Sequence, residues 1–326
     1  MNACVVTTIN YPTPAIEKLH ELFGENLIIV ADKKTPQDWN YKGLVPINNE
    51  TKEYAPDNHY AKKNLGYLEA MRKGATCITD TDDDNTPNFV WKLRDYLIET
   101  EVFSSIRWAN VYKMFSNENI WPRGLPLNSI NDVPANGFKK MVYSSIQQGL
   151  ADNEPDVDAL WRILFNKQVV FLKNRSVSLQ PSTWCPFNSQ STWWFAKAFP
   201  LMYLPVTATF RMCDIWRSFI AQRCLWEIGE TVTFHSPAEV YQDRNEHDLL
   251  KDFEDEIPGY LLNDKIVRIL SDLTLKQGEE YVCENMLTCY DALVKNEILP
   301  YREILSVTKW IRDYETIIAG NLARVS

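Results

Sequence analysis

The chain has 326 residues, 45% of them hydrophobic and 24% charged, the balance of a globular protein and not of a disordered, collagenous or membrane chain. At roughly 100–200 residues per domain it holds one large domain or two ordinary ones. Its 34 basic and 43 acidic side chains leave a net charge of −9, which repels phosphate backbones and anionic lipid surfaces, so nucleic acid is not an expected partner. No basic stretch leads into an apolar segment at the start, and no apolar run approaches the about 20 residues that cross a bilayer. Seven cysteines without Cys-x-x-Cys or Cys/His zinc spacing read as reduced, mostly buried thiols, and the expected compartment is cytoplasmic.

Ala3 to Ile9 reads as a first strand. Pro14 to Phe23 places Ile16, Leu19 and Phe23 at helical spacing, with Gly24 as its stop, and Leu27 to Ala31 is a second, buried strand. His59 to Lys73 carries Ala61, Leu65, Leu68 and Met71 on one helical stripe ended by Gly74. Ala75 to Thr79 returns as a strand and runs into Asp80-Thr81-Asp82-Asp83-Asp84. This alternation predicts βαβ units feeding a mostly parallel sheet, whose carboxyl edge is where open α/β sheets bind ligands.

Phe103 to Tyr203, dense in Trp, Pro and Asn, reads as long loops and short strands over a binding face. Asp214 to Glu227 is helical, with Ile215, Phe219, Gln222 and Trp226 on one face. Beyond Pro258, three amphipathic segments, Leu262 to Leu275, Glu279 to Asn296 and Tyr301 to Leu322, form a C-terminal helical extension. The expected division is therefore 1–257 and 258–326.

Asp80, Asp82 and Asp84 cannot all stay ionised together without a compensating cation. A hard divalent ion, Mn²⁺ or Mg²⁺, takes one or two carboxylates and completes its shell with water and diphosphate oxygens, so the cluster predicts a nucleotide-diphosphate ligand. The same run also reads as a solvated loop or the cap of a helix near Pro87. Upstream, Gly66 permits close approach of a neighbouring backbone. Lys63 and Asn64 offer a cation and an amide to a nucleotide, and Thr7 and Asp32, at the ends of the first two strands, are candidates for its base and ribose. Each has an ordinary structural role open to it as well: a solvated charge for Lys63, a local hydrogen bond for Asn64, a turn for Asp32. Gly-x-Gly-x-x-Gly, Walker-type and Gly-x-Ser-x-Gly motifs are missing, which leaves dehydrogenase, P-loop and serine-hydrolase readings without support.

Tyr60-Ala61-Lys62-Lys63-Asn64-Leu65-Gly66-Tyr67-Leu68, Asp80-Thr81-Asp82-Asp83-Asp84-Asn85, Trp121-Pro122-Arg123-Gly124-Leu125-Pro126-Leu127 and Asp214-Ile215-Trp216-Arg217, in that order, resemble the STELLO-like family of glycosyltransferase-like proteins. Some members are Golgi proteins associated with cellulose synthase assembly; unlike its membrane-anchored members, this sequence shows no N-terminal transmembrane helix. The resemblance implies an α/β, GT-A-like fold, a Rossmann-type mixed sheet flanked by helices. It also implies a metal-dependent, inverting transfer of sugar from a nucleotide-diphosphate sugar to an acceptor hydroxyl on a sugar or glycan. The alternatives are a non-catalytic relative that binds a partner as a scaffold, and a nucleotidyltransferase.

Under that resemblance Asp80-Thr81-Asp82 is the DxD motif, with Asp82 on the metal and Asp80 nearer the ribose or sugar; the overlapping Asp82-Asp83-Asp84 register makes Asp84 a second metal candidate. GT-A folds often recruit a late histidine to the metal, and His247 or His235 serves there or is a surface histidine. Asp214, which opens a helix, and Asp158 compete as the base; the alternatives are an N-cap for Asp214 and a solvated turn acid for Asp158. Arg123 suits a phosphate or a structural salt bridge. Gln222-Arg223-x-x-Trp226 is similar to the Gln-x-x-Arg-Trp element of processive sugar polymerases with its Arg displaced. Trp121, Trp193 and Trp194, where exposed, would stack on sugar faces.

Overall fold

Val5, Val6, Ile28, Ile29 and Val30 are β-branched and wholly buried, and such side chains pack best on a pleated surface. They make β1 (Asn2–Thr8) and β2 (Leu27–Ala31), separated by α1 (Pro14–Phe23), the centre of a parallel unit. The computed structural model describes residues 1–36, 38, 44–45, 53–88, 91–171, 173–244 and 247–325. In chain order there follow β3 (Leu44–Val45), α2 (Lys63–Arg72), β4 (Cys77–Thr81), β5 (Asn85–Pro87), β6 (Leu97–Phe103), α3 (Val111–Phe115), β7 (Phe138–Tyr143), β8 (Ile146–Asn153), α4 (Ala159–Phe165) and β9 (Arg175–Leu179). The last elements are β10 (Ser191–Phe195), α5 (Cys213–Glu227), β11 (Val232–Gln242), α6 (Leu249–Ser271), α7 (Val282–Lys295) and α8 (Arg302–Val325).

Among the described residues eleven strands form one mixed sheet in the order β3-β2-β1-β4-β10-β8-β11-β9-β6-β7, with β5 paired to β11. Strands β3, β2, β1 and β4 are parallel, the Rossmann-type half. Strand β10 runs antiparallel to both β4 and β8 and joins this half to the rest. The fold is thus α/β and GT-A-like, a mixed sheet flanked by helices with a C-terminal helical region, as expected.

Side chains alternate across the sheet. Cys4, Val6, Leu27 and Ile29 face α1, while Ala3, Val5, Ile28, Val30 and Ile78 join the large core on the opposite side with α2. Gly66 brings α2 close to the sheet: a Cβ there would lie 2.5 Å from Val5 Cγ1 and 2.6 Å from Val30 Cγ2. Helix α2 is buried nearly all round instead of along one stripe, because α8 covers its outer side, with Asn321 Nδ2 donating to Met71 O at 2.8 Å.

Several boundaries differ from expectation, and two of them bear on the site and the domain division. Strand β4 runs two residues further than predicted, through Asp80 and Thr81, because β10 pairs with both. Helix α6 begins at Leu249 and contains Pro258, so the expected division at 257/258 falls inside a helix. The loop-rich middle supplies β8 and β10, which lie at the centre of the sheet. Of the described residues, no helix is long and apolar enough to cross a membrane.

Candidate functional site

The carboxyl ends of β1, β2 and β4 open onto a cavity of about 560 Å³, a size that suits a small-molecule ligand. Thr7 and Thr8 end β1, Asp32 follows β2, and Asp82, Asp83 and Asp84 follow β4; all of them line the cavity. Arg123, Asp214 and His247 line its far side. The fold therefore brings together seven of the expected site residues: Thr7, Asp32, Asp82, Asp84, Arg123, Asp214 and His247. Lys63, Asn64, Asp80 and Asp158 do not line it.

Asp80 points to the α2 side of the sheet, two residues along from Ile78. Its Oδ1 accepts from Lys63 Nζ at 2.9 Å and its Oδ2 from Arg217 Nη1 at 3.1 Å. Arg217 also donates to Ser189 Oγ at 2.7 Å and lies 4.8 Å from the Trp194 ring centroid. Lys63 Nζ shares its other two N–H groups among Thr81 O, Tyr60 Oη and Asp82 Oδ1, at 2.6, 2.9 and 2.7 Å. Burial works against its charge, but Asp80 and Asp82 outweigh that and hold its pKa up. Asn64 is equally committed: its amide bridges Tyr54 O, Leu204 O and Leu204 N. These groups hold the floor of the site rigid.

The three aspartates after β4 have separate surroundings. Asp83 turns toward β1, its Oδ2 accepting from Thr8 Oγ1 at 2.6 Å and Asn10 Nδ2 at 3.1 Å. Asp82 accepts through Oδ1 from Lys63 and from Tyr60 Oη, the latter at 2.6 Å, and burial pushes its carboxyl up. Asp84 accepts from Gln242 Nε2 at 3.0 Å through Oδ2, while its Oδ1 is buried without a partner. Burial, reinforced by Asp82 and Asp83, pushes Asp84 up to about 7. A buried carboxylate oxygen with nothing to satisfy it, beside another carboxylate, has the chemistry of a site for a hard cation. Among the described residues no three acidic, Cys or His side chains converge closely enough to hold a metal between them. Two carboxylates plus water and ligand oxygens are nevertheless an ordinary shell for Mg²⁺.

On the far side Arg123 is the node. Its guanidinium donates to both oxygens of Asp156, each at 2.8 Å, and to Asp214 Oδ1 and Oδ2 at 3.0 and 2.8 Å, so it makes the salt bridges and keeps little for a phosphate. Asp214 is the second residue of α5, behind the N-cap Met212; its Oδ1 also accepts from Ile215 N. Asp158 is the N-cap of α4, with Oδ1 accepting from Trp161 N at 2.7 Å and Oδ2 from Trp121 Nε1 at 2.6 Å. It is buried, not a solvated turn acid, and burial pushes it up to about 7.

His247 Nδ1 sits 3.0 Å from Asp252 Oδ2, and His235 lies within β11 between Ser176 and Gln147, away from the cavity. The stacking role expected of Trp121, Trp193 and Trp194 is corrected: all three are buried and none lines the cavity. Its aromatic lining is Tyr60 and Phe210, in edge-to-face contact at 5.5 Å. Gln222 and Arg223 face away too, Arg223 donating to Leu270 O and Leu273 O at the end of α6. Arg162, Arg211 and Gln242 line the cavity unannounced by the sequence; they stand outside the segments that carry the resemblance, so no local signal marks them.

Fold and site together define a GT-A-like α/β protein with a charged cavity at the carboxyl edge of its parallel half. A family model described as STELLO glycosyltransferases matches residues 211–318. Over 95% of its length the chain is 25% identical to Probable glycosyltransferase STELLO2 and 24% identical to Probable glycosyltransferase STELLO1, both of Arabidopsis thaliana. It spans 44% of the length of each. The chain is therefore similar to the STELLO glycosyltransferases, and the similarity continues past the quoted motifs into the C-terminal helices.

Proposed function

We propose that this chain is a metal-dependent glycosyltransferase that moves a sugar from a nucleotide-diphosphate donor to an acceptor hydroxyl, with inversion. The observation that carries this reading is the partnerless Asp84 Oδ1 beside Asp82 at the ligand-binding edge of a Rossmann-type sheet. Asp82 and Asp84 would hold Mn²⁺ or Mg²⁺. Bound there, the ion supplies Lewis-acid neutralisation of the leaving diphosphate.

The chain's own groups do the rest. Asp32, at the end of β2, faces the ribose, with its Oδ1 and Oδ2 already held by Lys33 N and Asn58 N at 2.7 Å each. Thr7 stands near the base. Lys63 and Tyr60 orient Asp82. Asp214 is the candidate base toward the acceptor hydroxyl: Oδ2 accepts one bond, from Arg123, and keeps a lone pair for a proton. Such a base contributes about 10²–10⁴-fold. Arg123 would orient it. Asp158 is a weaker candidate, because Oδ1 caps α4, Oδ2 is taken by Trp121 Nε1, and it does not line the cavity. The seven free cysteines, six of them buried, suit a reducing, cytoplasmic compartment.

The test is a thermal-shift panel of UDP, GDP and ADP sugars with and without Mn²⁺, since binding to the native state raises apparent stability by mass action. A shift that needs Mn²⁺ and vanishes in Asp84→Asn is expected. Lack of any shift across the panel would replace the enzyme by the scaffold reading, and release of pyrophosphate would identify a nucleotidyltransferase.

A further inference from the structure

Three arginines from separate segments line the cavity beside Asp214: Arg162 in α4, Arg211 at the entry to α5, and Arg244 after β11. Their hydrogen-bonded carboxylate partners do not line it, and Asp156, which does, gives both oxygens to Arg123. Glu154 pairs with Arg162 Nη1, whose Nη2 donates to Pro155 O at 2.7 Å. Glu256 Oε1 accepts from Arg211 Nε and Nη2 at 3.0 and 2.7 Å, and Asp252 Oδ2 accepts from Arg244 Nη2 at 2.6 Å. These bonds hold the three guanidiniums in place at the cavity. Arg162 Nε is buried without a partner. Arg211 Nη1 and Arg244 Nε and Nη1 have none among the described residues. Burial, with the charges of Arg162 and Arg211, pushes Arg244 down to about 10.

We propose that Arg162, Arg211 and Arg244 form an anion subsite for an acidic group, a carboxylate or phosphate, carried by the transferred sugar or by the acceptor. The inference rests on the glycosyltransferase reading for the identity of the molecule, and on the arginines alone for its charge. Planar forks bind carboxylate and phosphate bidentately. The wall adjoins Arg123 and Asp214, the acceptor side of the cavity, since Arg123 Nη1 donates to Arg211 O. The aspartates after β4 serve the diphosphate.

The experiment uses the full chain with Mn²⁺ and whichever of UDP, GDP and ADP shifts its melting. In the acceptor arm, glucuronate and glucose 6-phosphate are titrated against glucose; in the donor arm, the uronate sugar nucleotide is titrated against its neutral parent. Preference for the acidic compound in one arm identifies its source. Arg162→Gln and Arg244→Gln should each weaken that compound roughly 10-fold or more and leave the nucleoside diphosphate unaffected. Arg244→Lys, which keeps the charge and loses the fork, should fall between. No acid preference in either arm overturns the proposal, and so does equal weakening of the bare nucleoside diphosphate, which would place the wall in the diphosphate site. Inorganic phosphate bound by the wild type and lost in Arg244→Gln, with no Mn²⁺-dependent nucleotide binding, would retain the anion subsite and sink the glycosyltransferase reading.

Discussion

Lys63 and Asp80 form an ion pair with neither side chain exposed to solvent, Nζ standing 2.9 Å from Oδ1. The pair ties α2 to β4 directly beneath the site, and the same ammonium reaches Asp82 at the cavity. Lys63→Met would leave two carboxylates short of a cation in a buried setting, which costs about 3–5 kcal/mol when one partner of a buried pair is removed. Urea unfolding measures this. A loss below about 1 kcal/mol would show that the pair is not what holds the floor of the site.

Gly66 and Gly320 make a matched pair of tests. Alanine at Gly66 drives a methyl into Val5 and Val30 and should destabilise by about 1–3 kcal/mol. Alanine at Gly320, in α8 with open space around it, should stabilise by about 0.5–1 kcal/mol. Opposite shifts of the urea midpoint are expected, and like signs would refute the close packing of α2.

Asp84→Asn removes a carboxylate whose charge burial disfavours, so the fold should hold while Mn²⁺-dependent nucleotide binding falls. Chelation by EDTA should reproduce that loss in the wild type and change nothing further in the variant. Equal nucleotide affinity with and without EDTA in the wild type contradicts the metal assignment.

Asp158 and Asp214 separate under the same substitution. Asp158 is pushed from 3.8 up to about 7 by burial, so between those values the folded chain keeps a proton that the unfolded chain has lost. Its contribution is complete below the unfolded pKa and declines as pH rises through the folded one. Asn copies the neutral form and caps a helix well. Asp158→Asn should therefore gain on the wild type by about 1–3 kcal/mol as pH rises from 4 to 7.5, with activity intact. Asp214→Asn should lower kcat by about 10²–10⁴ with nucleotide affinity unchanged. Reversal of the two activities would move the base to Asp158.

Local patterns alone located α1 and β2 at their observed ends, and α5 to within a residue of its start, because side-chain period, Pro14 and Gly24 act over neighbouring residues. They also pointed to the aspartates after β4 as the ligand edge, since strand ends and acidic runs are both readable in one dimension. What they left open was the partner of each charge. Asp80 turned inward because β10 extends β4 past it and the pleat then aims it at Lys63 and Arg217. Asp158 and Asp214, alike as sequence, take different partners, Trp121 and Arg123, which reach them only in three dimensions. Arg162, Arg211 and Arg244 became one wall in the same way, for a charge finds its counter-charge through space, and distance along the chain says nothing about it.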